Sequence, residues 1–352
     1  VINKRIKFIM AYTTINKSGS YFKTTLYTGD GNNGRTVTGV GFQPDWTWIK
    51  NRSGSDSHSI YDAVRGVNKV IRSNTYGAEG TQSDGLTAFG TDGFTIGAAG
   101  SVNTNSNNFV AWNWKANGTG SANTDGSINS TVSVNTTAGF SIVSYTGNAT
   151  SGATIGHGLG AVPKMIIVKN RDDGTGNQNW TVYHEAMTGN GAMFLDLTNT
   201  KDTNAKYFNN ATPTASVFTV GDNLGTNGSG DNMIAYCFAE KTGYCKIGSY
   251  VGNNNADGPF IYCGFKPQFT LIKPLATQNW QIHDISRLGY NPRNENLAPN
   301  NNSAEADNKF VDILSNGFKL RSATYAAGST DYIYIAIGQS IVASNNIAAT
   351  AR

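Results

Sequence analysis

The run Gly41-Phe-Gln-Pro-Asp-Trp-Thr-Trp-Ile-Lys50 has two counterparts further along the chain. They are Gly158-Leu-Gly-Ala-Val-Pro-Lys-Met-Ile-Ile-Val-Lys169 and Gly264-Phe-Lys-Pro-Gln-Phe-Thr-Leu-Ile-Lys273. In each, a glycine and a proline lead into a short apolar run that ends on lysine, and the lysines stand 119 and 104 positions apart. Glycine and proline punctuate a turn, and a bounded apolar run of this length reads as a buried strand. Self-similarity at a fixed spacing outranks every other signal, because missing it misassigns the whole architecture.

Further landmarks keep the same order. Leu26-Tyr-Thr-Gly-Asp30 is echoed by Ser144-Tyr-Thr-Gly-Asn148 and Ser249-Tyr-Val-Gly-Asn253. His58-Ser-Ile-Tyr61 corresponds to Trp180-Thr-Val-Tyr183 and Trp280-Gln-Ile-His283. Gly93-Phe94, Val217-Phe218 and Gly317-Phe318 open another strand, and each copy closes on a β-rich run containing Ala111, Ala235 or Ala336. The expected organisation is an N-terminal arm at 1–21, repeats at 22–115, 139–242 and 243–340, and a C-terminal tail at 341–352. A Gly, Ser, Asn and Thr-rich stretch at 116–138 reads as a flexible linker. The second and third copies adjoin and must pack directly.

Copy one contains about eight period-two runs separated by Asp-Gly, Gly-Asn-Asn-Gly and Ser-Gly turns, with no helical period between them. The fold class is therefore all-β, three tandem β-sandwich repeats resembling a jelly roll. Composition agrees: Gly is 41 of 352 residues, charged residues are only 14%, and hydrophobic residues at 38% suffice for several modest cores.

A net charge of +4 over 352 residues is too dilute to track phosphates, so nucleic acid is not an expected partner. No apolar run reaches the roughly 18 residues that cross a bilayer, and Val1–Ile9 is too short for a secretory core, so no membrane insertion is expected. Met10 reads as a natural start, leaving open whether Val1 or Met10 begins the mature chain. Cys237, Cys245 and Cys263 have no framework spacing and read as reduced, buried thiols.

Catalysis needs a constellation, and none survives alignment of the copies. His58 aligns with Trp180 and Trp280, His283 with Tyr61 and Tyr183, and His184 with Asp62 and Asp284; His157 stands apart. The five glutamates, Glu79, Glu185, Glu240, Glu295 and Glu305, share no repeated position, and Asp172-Asp173 lies in a turn, so the carboxylate pair of a glycosidase is missing. Gly156-His-Gly-Leu-Gly-Ala161 fits a dinucleotide fingerprint but is followed by proline and a strand rather than a helix. Asn253–Gly258 opens like a calcium loop, yet its twelfth position is Gly264 rather than glutamate. No enzyme activity, cofactor or metal is expected.

Lys50, Lys169 and Lys273 are expected to lay their stems on apolar surface with the ammonium in solvent or on an aspartate. Trp180 and Trp280 each follow Gln-Asn, which places an aromatic plane among amides. With Tyr183 and His283 they form the candidate glycan-binding positions, against the plainer reading of a core-filling tryptophan.

Taken together, Phe22-Lys-Thr-Thr-Leu-Tyr-Thr-Gly-Asp-Gly31, the Gly41–Lys50 run, Ile60-Tyr-Asp-Ala-Val-Arg-Gly66 and Phe109-Val-Ala-Trp-Asn-Trp-Lys-Ala116 resemble a repeat in virion proteins of tailed phages of marine bacteria. The resemblance extends in weaker form through the second and third copies. It implies a non-enzymatic structural protein on the phage particle surface, tail-associated or capsid-decorating, with other virion proteins as partners and homo-oligomerisation through assembly contacts. Host attachment through a surface glycan is the alternative, and a polysaccharide-degrading enzyme the least favoured.

Overall fold

The computed structural model describes residues 12–172, 178–187, 191–288, 290–323 and 330–342. The first segment of the chain forms β1 (Phe22–Thr28), β2 (Arg35–Thr38), β3 (Trp46–Asn51), β4 (Ser59–Asp62), β5 (Lys69–Val70), β6 (Gly80–Thr81), β7 (Leu86–Gly90), β8 (Gly93–Ile96) and β9 (Asn108–Trp114). The second forms β10 (Ser121–Asn123), β11 (Ser130–Asn135), β12 (Phe140–Thr146), β13 (Ala153–Gly156), β14 (Met165–Asn170), β15 (Thr181–His184), β16 (Met193–Phe194), β17 (Val217–Val220) and β18 (Asn232–Phe238). The third forms β19 (Cys245–Val251), β20 (Phe260–Tyr262), β21 (Lys266–Pro274), β22 (Gln281–Asp284), β23 (Arg293–Asn296), β24 (Ala306–Leu314), β25 (Gly317–Leu320) and β26 (Asp331–Gln339). Helix among the described residues is confined to short turns, and none is long or apolar enough to cross a membrane.

The protein is all-β, built from antiparallel sandwiches. One strand order occurs in each segment: β1-β9-β3-β4, then β12-β18-β14-β15, then β19-β26-β21-β22. Each such inner sheet is backed by a second, β2-β8-β7, β13-β17 or β20-β25-β24-β23. The chain crosses between sheets at β1–β2–β3 and β8–β9, as a jelly roll does, but β3–β4 and β7–β8 are hairpins within one sheet. Period two explains the layering. Ile49, Tyr61, Phe109 and Ala111 face the backing sheet of the first segment, and clusters of the same kind fill the second and third sandwiches.

The opposite faces make the larger core. Trp46, Trp48, Trp112 and Trp114 meet Ile142, Met165, Ile167, Tyr236 and Phe238 of the second segment and Ile247, Phe269, Leu271, Ile335 and Ile337 of the third. Trp46 stacks on Tyr236 at 4.4 Å between centroids and on Phe140 at 5.6 Å. All three inner sheets therefore share one core rather than standing apart on their own. A cavity of only about 10 Å³, with wholly apolar walls, marks where the three faces converge. That is at most room for one water.

Residues 116–138 are not a flexible linker. Ser121–Asn123 and Ser130–Asn135 form β10 and β11, and β11 pairs along β12 from Ser130↔Tyr145 to Asn135↔Phe140. The coil-like composition hides an alternation, Thr131-Val132-Ser133-Val134, in which Val132 is buried and Thr131 exposed. The expected arm at 1–21 is likewise ordered where it is described: Ile15 enters the shared core, and Ser18 N donates to Gln339 Oε1 at 2.7 Å. Val1, Met10 and the tail beyond residue 342 lie outside the described residues, as does Asp173.

Candidate functional site

The register of the inner sheets brings corresponding positions to corresponding places. Trp48, Ile167 and Leu271 stand opposite Ile60, Val182 and Ile282, which puts His58, Trp180 and Trp280 at one position two residues before each. Each of the three spends its ring nitrogen on the backbone of another segment. Trp180 Nε1 donates to Arg72 O at 2.9 Å, Trp280 Nε1 to Phe194 O at 2.8 Å, and His58 Nε2 lies 3.1 Å from Ala298 O. The second segment thus holds the first, the third holds the second, and the first holds the third. Trp48 Nε1 donates to His58 Nδ1 at 2.8 Å, which leaves Nε2 as the protonated nitrogen facing the carbonyl.

This overturns the reading of Trp180 and Trp280 as exposed stacking platforms. Both are buried, as is His283, which faces Thr270 across the β21–β22 ladder. Tyr183, half-buried, packs edge-on against Phe208 at 5.5 Å. A ring without an accessible face cannot stack on a sugar. Sequence reasoning aligned His58 with the two tryptophans but missed what they share, a ring N–H able to reach a neighbouring carbonyl.

A second set of contacts surrounds the shared core. Tyr236 OH donates to Asp62 Oδ2 at 2.7 Å, and Trp112 Nε1 donates to Asp284 Oδ2 at 3.0 Å. Each aspartate also holds a buried arginine three residues on, Arg65 at 2.5 Å and Arg287 at 2.6 Å. Burial pushes the Asp284 carboxyl up, but the Arg287 guanidinium and the Trp112 and backbone donors outweigh it and hold the group below the usual carboxylate range. The corresponding place in the second segment carries His184 and Met187, with Ile335 opposite; His184 Nε2 lies 3.2 Å from Tyr334 O and Nδ1 accepts from Ala186 N. Burial lowers His184 to about 4. Sequence comparison had matched His184 with Asp62 and Asp284 without showing that each faces a different segment.

The three lysines are buried, contrary to expectation. Lys50 Nζ donates to Asn51 O at 2.6 Å and Gly54 O at 2.9 Å, and Lys169 Nζ to Asn170 O at 2.5 Å and Tyr76 O at 3.0 Å. Lys273 Nζ donates to Pro274 O, Ala276 O and Thr198 O at 2.7, 2.8 and 3.3 Å. Backbone carbonyl oxygens accept from all three ammonium groups. Burial lowers Lys50 to about 8 and Lys273 to about 7. Two residues further on, Arg52 grips Glu305 at 2.6 Å and Arg171 grips Glu79 at 3.0 Å.

The cysteines are free and buried, with thiols pushed up by burial, Cys263 to about 12. Asp257 of the calcium-like turn is held by Lys319 and Arg321. One polar cleft of about 200 Å³ opens beside Trp180, lined by Gln178, Asn179, Thr181, Lys206, Tyr207 and Asn223 among others.

Fold and contacts together define an all-β protein in which aromatic, ionic and lysine side chains join three sandwiches into one body. The chain belongs to the family described as domain of unknown function DUF7483, whose model matches residues 17–340. That span begins and ends beside Ser18 and Gln339, the hydrogen-bonded pair that brings the two ends together. A search of curated proteins finds no match.

Proposed function

We propose that the chain is a non-enzymatic structural module of a phage particle surface, made of three copies of one sandwich unit fused into a closed pseudo-trimer. The observation that carries this reading is the ring of contacts from His58, Trp180 and Trp280 to Ala298, Arg72 and Phe194. A ring that closes within one polypeptide is how a symmetric assembly looks once its subunits are joined. It commits to packing the side chains an enzyme would use: His58, His157 and His184 have both ring nitrogens engaged with the protein. The resemblance to phage virion repeats supports the location.

Assembly contacts with other virion proteins fall to the edge strands in this reading. β11 covers β12 in the second segment, while among the described residues the corresponding β1 and β19 have a neighbour on one flank only and expose Leu26 and Val251. Unpaired strand edges are templates for association. Antibodies against the purified protein, applied to particles from a lysed phage-producing culture, should decorate the particle at fixed positions. Labelling confined to soluble lysate would overturn the proposal, and a single family of labelled sites would separate tail from capsid.

A further inference from the structure

We propose that the cleft beside Trp180 binds a single carboxylate-bearing sugar of the uronic acid type. The cleft, about 200 Å³, is formed by the strand entry at Gln178–Thr181, by Lys206 and Tyr207 from the excursion between β16 and β17, and by Asn223. Its size suits one ring rather than a chain. Beside the apolar Phe194 and Leu224, its walls carry the carboxamides of Gln178, Asn179 and Asn223, which both donate and accept, as recognition of several sugar hydroxyls requires.

Charge makes the choice among sugars. Lys206 forms no ion pair with a carboxylate among the described residues; its ammonium rests 5.3 Å from the centre of the Tyr207 ring. Tyr207 OH is taken by Asp202 Oδ2 at 3.0 Å, so the phenol is anchored and the ring is fixed beneath the cation. The Asn223 carboxamide oxygen accepts from Gly225 N at 2.8 Å, which turns its NH₂ group to the remaining partners. One unpaired cation among amide donors suits a ligand with one negative charge and several hydroxyls. A phosphate would call for more cations or a nest of backbone N–H groups than this cleft provides. With Lys206 over its face, Tyr207 does not offer a stacking platform, which separates this site from neutral-sugar sites built on bare rings.

The inference does not rest on the particle location, and particle labelling tests that location separately. Glucuronate, glucose and acetate are each titrated into the full chain by ligand-observed NMR and calorimetry. Saturable glucuronate binding, weakened at least ~tenfold in Lys206→Met with an unchanged melting temperature, is expected, the loss corresponding to one charge-assisted hydrogen bond. Asn179→Ala should weaken the same ligand less. Equal binding of glucose would remove the role of Lys206, equal binding of acetate would remove the sugar, and no saturable response to glucuronate would overturn the site itself.

Discussion

Where the second segment meets the first, Tyr236 donates to a buried Asp62–Arg65 pair and Arg171 clasps Glu79; where the first meets the third, Trp112, Asp284–Arg287 and Arg52–Glu305 do the same. The remaining joint, between the third and second segments, has Ile335, His184, Met187 and Leu275 at those positions. At these positions two joints are ionic and one is neutral, although Glu240 of the second segment meets Lys246 of the third at 2.8 Å elsewhere along that joint. A buried ion pair gains its stability only when every partner is present, and losing one leaves an uncompensated charge. The neutral joint replaces the whole set at once, from donor to carboxylate to arginine, rather than leaving a fragment behind. Coordinated replacement is what low-dielectric electrostatics requires.

Asp284→Ala is the sharpest way to test the difference. It removes the closer of the two carboxylates on the buried Arg287, leaving Glu305 at 2.8 Å, and should cost ~3–5 kcal/mol in urea unfolding, whereas His184→Ala at the neutral joint should cost ~1–3 kcal/mol. Equal losses would break the comparison. Trp280→Phe keeps most of the apolar bulk and removes one N–H from Phe194 O, for an expected ~1–3 kcal/mol, and Trp180→Phe should match it if the positions are equivalent.

Acid separates the joints by chemistry. His58 and His184 are held neutral, their folded pKa values lowered by burial first, below the ordinary histidine value of 6.5. The fold therefore has their full contribution above that value and loses it as the pH falls towards about 4, where His184 takes up its proton. Melting temperature should decline across this window, and backbone amide exchange should rise first around Tyr334 and Ala186. His184→Gln should flatten the decline at the neutral joint; an unchanged profile would show that His184 does not govern it. The smallest effect belongs to Arg171→Ala, about 1 kcal/mol, since Glu79 keeps its contact with Arg65 at 3.0 Å when Arg171 is lost.

The sequence was most legible where period two and repetition coincide. Trp46-Thr-Trp-Ile-Lys50 reads as a core strand because its counterparts keep apolar character while changing shape, and it lies wholly buried. The ladder registers put Asp62, His184 and Asp284 opposite Trp46, Met165 and Phe269, but where Ala111 and Ala235 face Ile49 and Val168 it is Tyr334, not Ala336, that faces Ile272. Alignment reports which positions correspond, not what each one faces. That Trp180 reaches Arg72, 108 residues away, is a property of how three sheets close, and no local pattern encodes it. Residues 116–138 were misread because their Gly, Ser and Asn content masks the β-branched Thr131, Val132 and Val134 that form β11 between β10 and β12. The lysines were misread because their satisfaction comes from backbone carbonyls, which every sequence has.

Beyond the joints, the meeting of Ser18 with Gln339 has a mechanical consequence. Gln339 Nε2 also donates to Asn16 O, so the entering turn and the end of β26 are clipped side by side. Tension applied through both flanks would load this clip before it could shear any sandwich. A body suspended from such a point hangs like a pendant, with the rest of its surface free to swing towards whatever it meets.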